Sequence, residues 1–197
     1  MDLNRQFTEL LNKKNDRPVL VVMTGLPGSG KSYFLEKNRP LLDSLGFTVL
    51  EARKRALELW EEYEGDEGKT PYPANPLMRK LYDRSARELE RRAIEILEGG
   101  GRVVLDTAQN TALKRLSLYE QADKRGALKI CISRPCSFSI AMARNVMRGN
   151  DAATRGRVYS MSMAIQYPGE GDEEGADLLI EPGIPGRVTA REFLASP

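Results

Sequence analysis

The chain contains no histidine. Imidazole acid–base chemistry and imidazole metal ligation are therefore excluded, and any general base must be a carboxylate or a less usual group. It has two cysteines, Cys131 and Cys136, whose spacing is neither a zinc pattern nor a C-x-x-C redox pair. Free thiols in a reducing, cytoplasmic compartment are the expectation. No apolar run approaches the length that spans a bilayer, so no membrane is expected as a partner. The opening residues Met1-Asp2-Leu3-Asn4-Arg5-Gln6 lack the apolar stretch of a secretory signal. An excess of one charge is missing too: 30 Lys and Arg against 28 Asp and Glu leave a formal net charge of +2. Any affinity for a polyanion must then come from a local patch. There is no internal repeat and no low-complexity segment. What is present, 197 residues of which 41% are hydrophobic, suits one well-buried domain.

The richest local signal is Gly25-Leu26-Pro27-Gly28-Ser29-Gly30-Lys31-Ser32. It follows the apolar run Val19-Leu20-Val21-Val22-Met23 and precedes a helical pattern starting at Tyr33. Strand, glycine turn and helix are the context that makes G-x-x-x-x-G-K-[ST] a phosphate cradle. The glycines let successive backbone N–H groups face inward, where the helix N-terminus adds partial positive charge. Gly25, Pro27, Gly28, Ser29 and Gly30 form the loop, Lys31 can reach the outer phosphates, and the Ser32 hydroxyl is placed for Mg²⁺. A nucleoside triphosphate is the expected ligand.

Around this loop the chain alternates strands and helices, which implies one α/β domain with a parallel sheet. Leu3, Phe7, Leu10 and Leu11 predict a short helix over 2–13. Further strands are expected at Phe47-Thr48-Val49-Leu50, Val103-Val104-Leu105-Asp106 and Leu128-Lys129-Ile130-Cys131-Ile132, with a last edge strand at Asp177-Leu178-Leu179-Ile180. Helices are expected over 53–64 and 77–98, from Thr111 through Tyr119, and from Pro135 with Phe138, Ile140, Ala143, Val146 and Met147. Gly149 breaks that last helix, and another follows with Val158, Met161 and Ile165. Residues 64–76, rich in glycine, proline and charge and carrying Tyr72, read as a surface loop, as does the acidic stretch 169–175.

Two further groups carry chemistry. Asp106 ends an apolar strand on the edge where open α/β sheets bind ligands, and it resembles the Walker B aspartate that holds Mg²⁺. Arg144 and Arg148 share one helix face at i and i+4, just before Gly149, with Arg155 and Arg157 beyond. Arginines at a helix–loop–helix joint can clamp phosphates as charge develops during transfer. A solvated basic turn is the alternative reading of that stretch.

Together these residues resemble the kinase module of phage polynucleotide 5′-kinase and the small P-loop kinases around it, zeta-toxin-like kinases included. The resemblance rests on residues 25–32, on Leu105-Asp106-Thr107-Ala108-Gln109-Asn110 with Lys114-Arg115 downstream, and on Arg144-Asn145-Val146-Met147-Arg148-Gly149. Tyr159-Ser160-Met161-Ser162-Met163, Tyr167-Pro168 and Glu174-Gly175-Ala176-Asp177 match the look of the family's second half. The resemblance implies a P-loop kinase fold, a central parallel sheet flanked by helices with an arginine-bearing lid at about 144–157. The domain would span 18–181, between a helical extension (1–17) and a tail (182–197). It implies ATP as phosphoryl donor, Mg²⁺ as cofactor, Asp106 in the acceptor or metal region, and Arg148 as the lid arginine. It also implies a cytoplasmic setting, for a phage protein that of the host.

The departure from the family lies after the second strand. An Asp-x-x-Arg pattern usually supplies the general base there, whereas this chain reads Leu50-Glu51-Ala52-Arg53-Lys54-Arg55. Glu51 and Lys54 can stand in at the same spacing, or the register places Arg53 at the acid's position. Cations at a helix start are unfavourable against its dipole unless an anion sits there. Arg53, Lys54 and Arg55 are therefore candidates for binding acceptor phosphates, with a solvated basic turn as the alternative. Lys80, Arg84, Arg87 and Arg91 form one stripe on the long helix, which can track a nucleic-acid backbone or be a plain solvated face. The leading functional expectation is a kinase acting on a nucleic-acid hydroxyl, most simply a 5′-OH. A hydroxymethylated DNA base, a small molecule such as a nucleotide sugar, and a nucleotide-hydrolysing switch are the alternatives.

Overall fold

Val19–Thr24 form β1, and all six residues are buried. Apolar side chains on both faces suit a central parallel strand covered by helices on either side. In the computed structural model, which describes residues 17–63, 76–107, 109–147, 152–168, 175–180 and 188–190, β1 lies between two parallel partners. These are β3 (Arg102–Asp106) and β4 (Leu128–Ser133). Outside β3 runs β2 (Phe47–Glu51), in register from Phe47 opposite Arg102 to Glu51 opposite Asp106. Beyond β4 come β5 (Leu178–Ile180), parallel, and β6 (Val188–Ala190), antiparallel. The order is β2-β3-β1-β4-β5-β6. Because the strands after β1 go to opposite sides of it, its carboxyl end is a switch point, where open α/β sheets bind ligands.

Six helices complete the described residues: α1 (Lys31–Ser44), α2 (Ala52–Glu62), α3 (Pro76–Glu98), α4 (Ala112–Asp123), α5 (Phe138–Met147) and α6 (Ala152–Ala164). Strand alternation splits the core into two layers. Val19, Val21, Met23, Val104, Ile130 and Ile132 pack on Leu35 and Leu42 of α1. Leu20, Val22, Val103 and Leu105 pack on Leu89, Ala93 and Leu97 of α3 and on Leu118 and Ala122 of α4. Each fully buried leucine contributes about 1.5–3 kcal/mol, so the sheet edge that carries the chemistry stands on a rigid base.

Helix α3 buries Met78, Leu81, Ser85, Leu89, Ala93 and Leu97, a stripe at helical spacing. Gly100, at φ 77°, stops it while the Gly101 N–H donates to the Ile96 carbonyl at 2.8 Å. The helix is longer than the sheet is tall. Its Glu88 meets Arg55 in the first turn of α2, and its Glu90 meets Gln109 just past β3. Residues 76–87 therefore rise roughly 18 Å past the carboxyl edge of the sheet. Helix α2 packs against this projection through Ala56, Leu59, Met78 and Leu81.

The parallel sheet flanked by helices is the expected fold. Three details differ from expectation. β5 is not the edge, because β6 pairs with it from within the stretch assigned to a tail. Helix α4 continues past Tyr119 to Asp123. Helix α5 begins at Phe138 and not at Pro135, and it exposes Phe138, Ile140, Val146 and Met147 while burying Ala141 and Asn145. The backbone at Gly28 approaches that helix too closely for large side chains. The helix expected over 2–13, Tyr72 with the loop 64–75, Gly149 and the acidic residues 169–174 lie outside the described residues. Among the described residues no helix is long and apolar enough to cross a membrane.

Candidate active site

Residues 25–32 run from the end of β1 into α1. Gly25 and Gly28 have φ of 144° and 88°, conformations that other residues rarely adopt. Space requires glycine as well. A Cβ on Gly25 would lie 2.7 Å from both the Arg134 carbonyl oxygen and Ser29 Oγ. On Gly28 it would lie 2.6 Å from Asn145 Nδ2 and 2.9 Å from the Ala141 carbonyl. Gly30 caps α1 without a side-chain hydrogen bond, so the first N–H groups of the helix remain for a ligand. Lys31 Nζ donates to the carbonyls of Gly25 at 2.7 Å and Leu26 at 3.2 Å, both within its own loop. Burial lowers the pKa of this ammonium and Asp106 opposes the shift. Ser32 is exposed in the first turn of α1. The loop has the shape, the N–H donors and the cation that a polyphosphate needs.

Two carboxylates stand at adjacent strand ends. Glu51 closes β2 and Asp106 closes β3, in direct register, so their side chains leave on the same face, the one covered by α1. Asp106 is buried. Burial pushes its carboxyl above the ordinary value, Lys31 opposes this and Glu51 adds to it. Glu51 is half-buried and its Oε1 lies 3.5 Å from Nη1 of Arg39 on α1. Of the two registers left open by the sequence, the structure has Glu51 at the strand end and Arg53 exposed one residue into α2.

The loop after β3 holds the phosphate loop from behind. Asn110 Oδ1 accepts the Gly25 N–H at 3.0 Å and the Thr24 hydroxyl at 3.3 Å. Arg115, fully buried, donates to the Gln109 carbonyl at 3.0 Å and so fixes that loop from α4. Gln166, just past α6, donates its N–H to the Asn110 carbonyl at 2.8 Å and accepts the Ala112 N–H on Oε1 at 2.9 Å.

Helices α5 and α6 lie on the tip of the phosphate loop. Leu26 packs with Ala141 and Val158. Asn145 Nδ2 donates to the Pro27 carbonyl at 3.0 Å, and Arg144 Nη1 donates to the Gly28 carbonyl at 3.1 Å. The contact with Gly28 explains why α5 turns Ala141 and Asn145 inward and leaves its larger residues outside.

The structure thus brings together Gly25, Pro27, Gly28, Ser29, Gly30, Lys31, Ser32, Glu51, Asp106 and Arg144. Arg148 lies outside the described residues. Arg53 and Lys54 are exposed on the first turn of α2, and Arg84 is exposed on α3. Arg55 is engaged with Glu58, Glu62 and Glu88 at 3.2–3.3 Å, an ion-pair network that ties α2 to α3. Sequence reasoning missed Arg39, Gln166 and Arg134. For Arg134 a usable signal existed, since it directly follows a central strand and so emerges at the ligand-binding edge.

A family model described as an AAA domain matches residues 20–167. The chain belongs to that family. No curated protein matches it. A Chloroflexus aurantiacus structure assigned as a kinase is similar at 15% identity and TM-score 0.58, over 83% of this chain and 86% of that one. Chaetomium thermophilum Kti12, solved in complex with ADP-AlF3, is similar at 15% identity and TM-score 0.58, over 82% and 87%. The structure of APE1195 is similar at 17% identity and TM-score 0.53, over 85% and 86%. These likenesses bear on the fold, which is that of P-loop kinases. In this AAA-domain chain, Ser32 and Asp106 offer a hydroxyl and a carboxylate beside the loop. Among the described residues no group of three or more His, Cys, Asp and Glu could hold a metal. That donor set fits Mg²⁺, which is usually bound by one or two protein oxygens together with substrate phosphates and water.

Proposed function

We propose that the protein is an ATP-dependent phosphotransferase that phosphorylates a hydroxyl on a nucleic acid, most simply a polynucleotide 5′-OH. The observation that carries this reading is the pair Glu51 and Asp106 at neighbouring strand ends, on the same sheet face as α1 and its Lys31. A nucleotide switch has no need of a second carboxylate beside the first, whereas transfer to an alcohol needs a base. With histidine absent, Glu51 is the group we assign to that task.

In the proposed reaction the loop N–H groups and Lys31 hold the triphosphate, and Arg144 flanks it. Ser32 and Asp106 would hold Mg²⁺, which would supply charge neutralisation on the phosphate oxygens. Arg39 orients Glu51, whose carboxylate takes the proton of the acceptor hydroxyl. The hydroxyl oxygen bonds to the γ-phosphorus as the bond to the β-phosphate oxygen breaks, and ADP leaves. Arg148 is assigned to the transferring phosphoryl group, as lid arginine, by its position in the resemblance alone. The nucleic-acid acceptor is supported by the α2–α3 projection above the carboxylates, which exposes Arg53, Lys54, Lys80, Arg84 and Arg87. Phosphates of a polynucleotide are the chemistry such exposed cations suit.

The test is incubation with γ-labelled ATP and Mg²⁺ against 5′-OH DNA and RNA, hydroxymethylated DNA, nucleosides and nucleotide sugars, with Lys31→Ala as the blank. Label on a polynucleotide is the expected result. Label on small molecules alone would overturn the acceptor assignment, and ATP hydrolysis without a labelled acceptor would overturn the transferase reading.

A further inference from the structure

Arg134 sits one residue beyond β4. Its N–H donates to the Thr24 carbonyl at 2.9 Å, continuing the ladder with β1. By strand alternation it shares the α1 face with Ile132. Its guanidinium carbon lies 5.9 Å from the centroid of the Phe34 ring, in the first turn of α1. Its Nη2 lies 3.5 Å from the position a Cβ on Gly30 would take. The side chain therefore crosses the start of α1 where the phosphate loop enters it.

The strand order fixes which side of the loop this is. β3 and β2, with Asp106 and Glu51, flank β1 on one side, and β4 flanks it on the other. A triphosphate whose terminal phosphoryl faces the carboxylates directs its nucleoside end towards β4. We propose that Arg134, stacked on Phe34, binds the phosphate of the donor nucleotide nearest the nucleoside. This rests on the phosphotransferase reading above. Arg144 reaches the same loop from α5. After burial, its positive charge is the next cause that lowers the Arg134 pKa. Two guanidinium groups beside one loop repel one another unless an anion lies between them. A planar fork is also the group that suits two phosphate oxygens at once.

The test is calorimetric titration of ADP into the wild type, Arg134→Lys and Arg134→Gln, with the melting temperature of each unliganded protein measured alongside. Arg134→Gln should weaken ADP binding by about tenfold, and Arg134→Lys, which keeps the charge, by clearly less. ADP affinity of Arg134→Gln within twofold of wild type, or an equal loss for both variants, overturns the assignment. Where Arg134→Gln also lowers the melting temperature, phosphorus NMR of ADP bound to Arg134→Lys decides. A moved α-phosphorus resonance with an unmoved β resonance supports the contact, and two unmoved resonances refute it. A wild type that binds neither ADP nor ATP overturns the proposed function itself. A wild type that binds while Arg134→Gln is unaffected removes only Arg134.

Discussion

The side-chain carbonyl of Asn110 accepts the backbone N–H of Gly25 at 3.0 Å across a separation of 85 residues. The Thr24 hydroxyl donates to the same oxygen. One buried side chain thus satisfies the Thr24 hydroxyl and the first N–H past β1, and sets where the phosphate loop begins. Asn110→Leu leaves both donors buried without an acceptor, which costs about 1–3 kcal/mol for each unsatisfied group. Urea unfolding should show that loss and ADP titration a weaker complex. Wild-type values in both would mean that the loop shapes itself without this bond.

Glu51→Gln keeps the size and hydrogen-bonding reach of the side chain but removes its basicity. Turnover of the labelled acceptor should fall by about 10²–10⁴-fold, the usual contribution of a general base, while the KM for ATP stays near wild type. Turnover at the wild-type rate removes Glu51 as the base. Arg39→Leu should give a smaller loss, since it withdraws only the group that orients the carboxylate.

Gly28→Ala places a methyl group where Asn145 Nδ2 and the Ala141 carbonyl already stand. The bond from Asn145 to Pro27 and the packing of α5 on Leu26 should both loosen. ADP affinity should drop and amide exchange in α5 should speed up. Unchanged exchange would show that the helix does not depend on this contact.

Burial pushes the Asp106 carboxyl above its ordinary value, with Lys31 opposing and Glu51 adding. A raised native pKa means that the folded state holds the proton more tightly than the unfolded chain. The contribution of Asp106 to stability is then full below the unfolded value near 3.8 and is lost as pH rises through the native value. Asp106→Asn removes this dependence, so the variant should gain stability relative to wild type as the pH is raised from about 4 through the raised native value. Urea unfolding of both proteins across that range tests this. A difference that stays flat with pH contradicts the shift.

The donor half of the site was legible in the sequence because it is local. Strand periodicity, the glycine turn and Lys31-Ser32 fall within a short stretch, and Asp106 is marked by the apolar run before it. What escaped is set by contacts between distant segments. Which face α5 buries depends on the approach of Gly28, which the apolar residues of the helix do not signal. Arg55 reads as an anion site until Glu88, 33 positions on, is seen to engage it. Arg39 looks like any surface residue of α1 until Glu51 is brought beside it. Arg134 belongs to no motif, and only its place at the end of β4 gives it meaning.

Helix α4 begins without a side-chain hydrogen bond from its own N-cap, Thr111. The acceptor for its first N–H comes from Gln166, 54 residues later, which also binds the carbonyl of Asn110. The start of α4 and the return from α6 therefore cannot fray separately. This lengthens the mean contact separation and slows folding, since the chain must close a long loop before the bond forms. In the native protein the same bond joins two segments into one cooperative unit. Hydrogen exchange at Ala112 and Gln166 would then proceed through a shared opening.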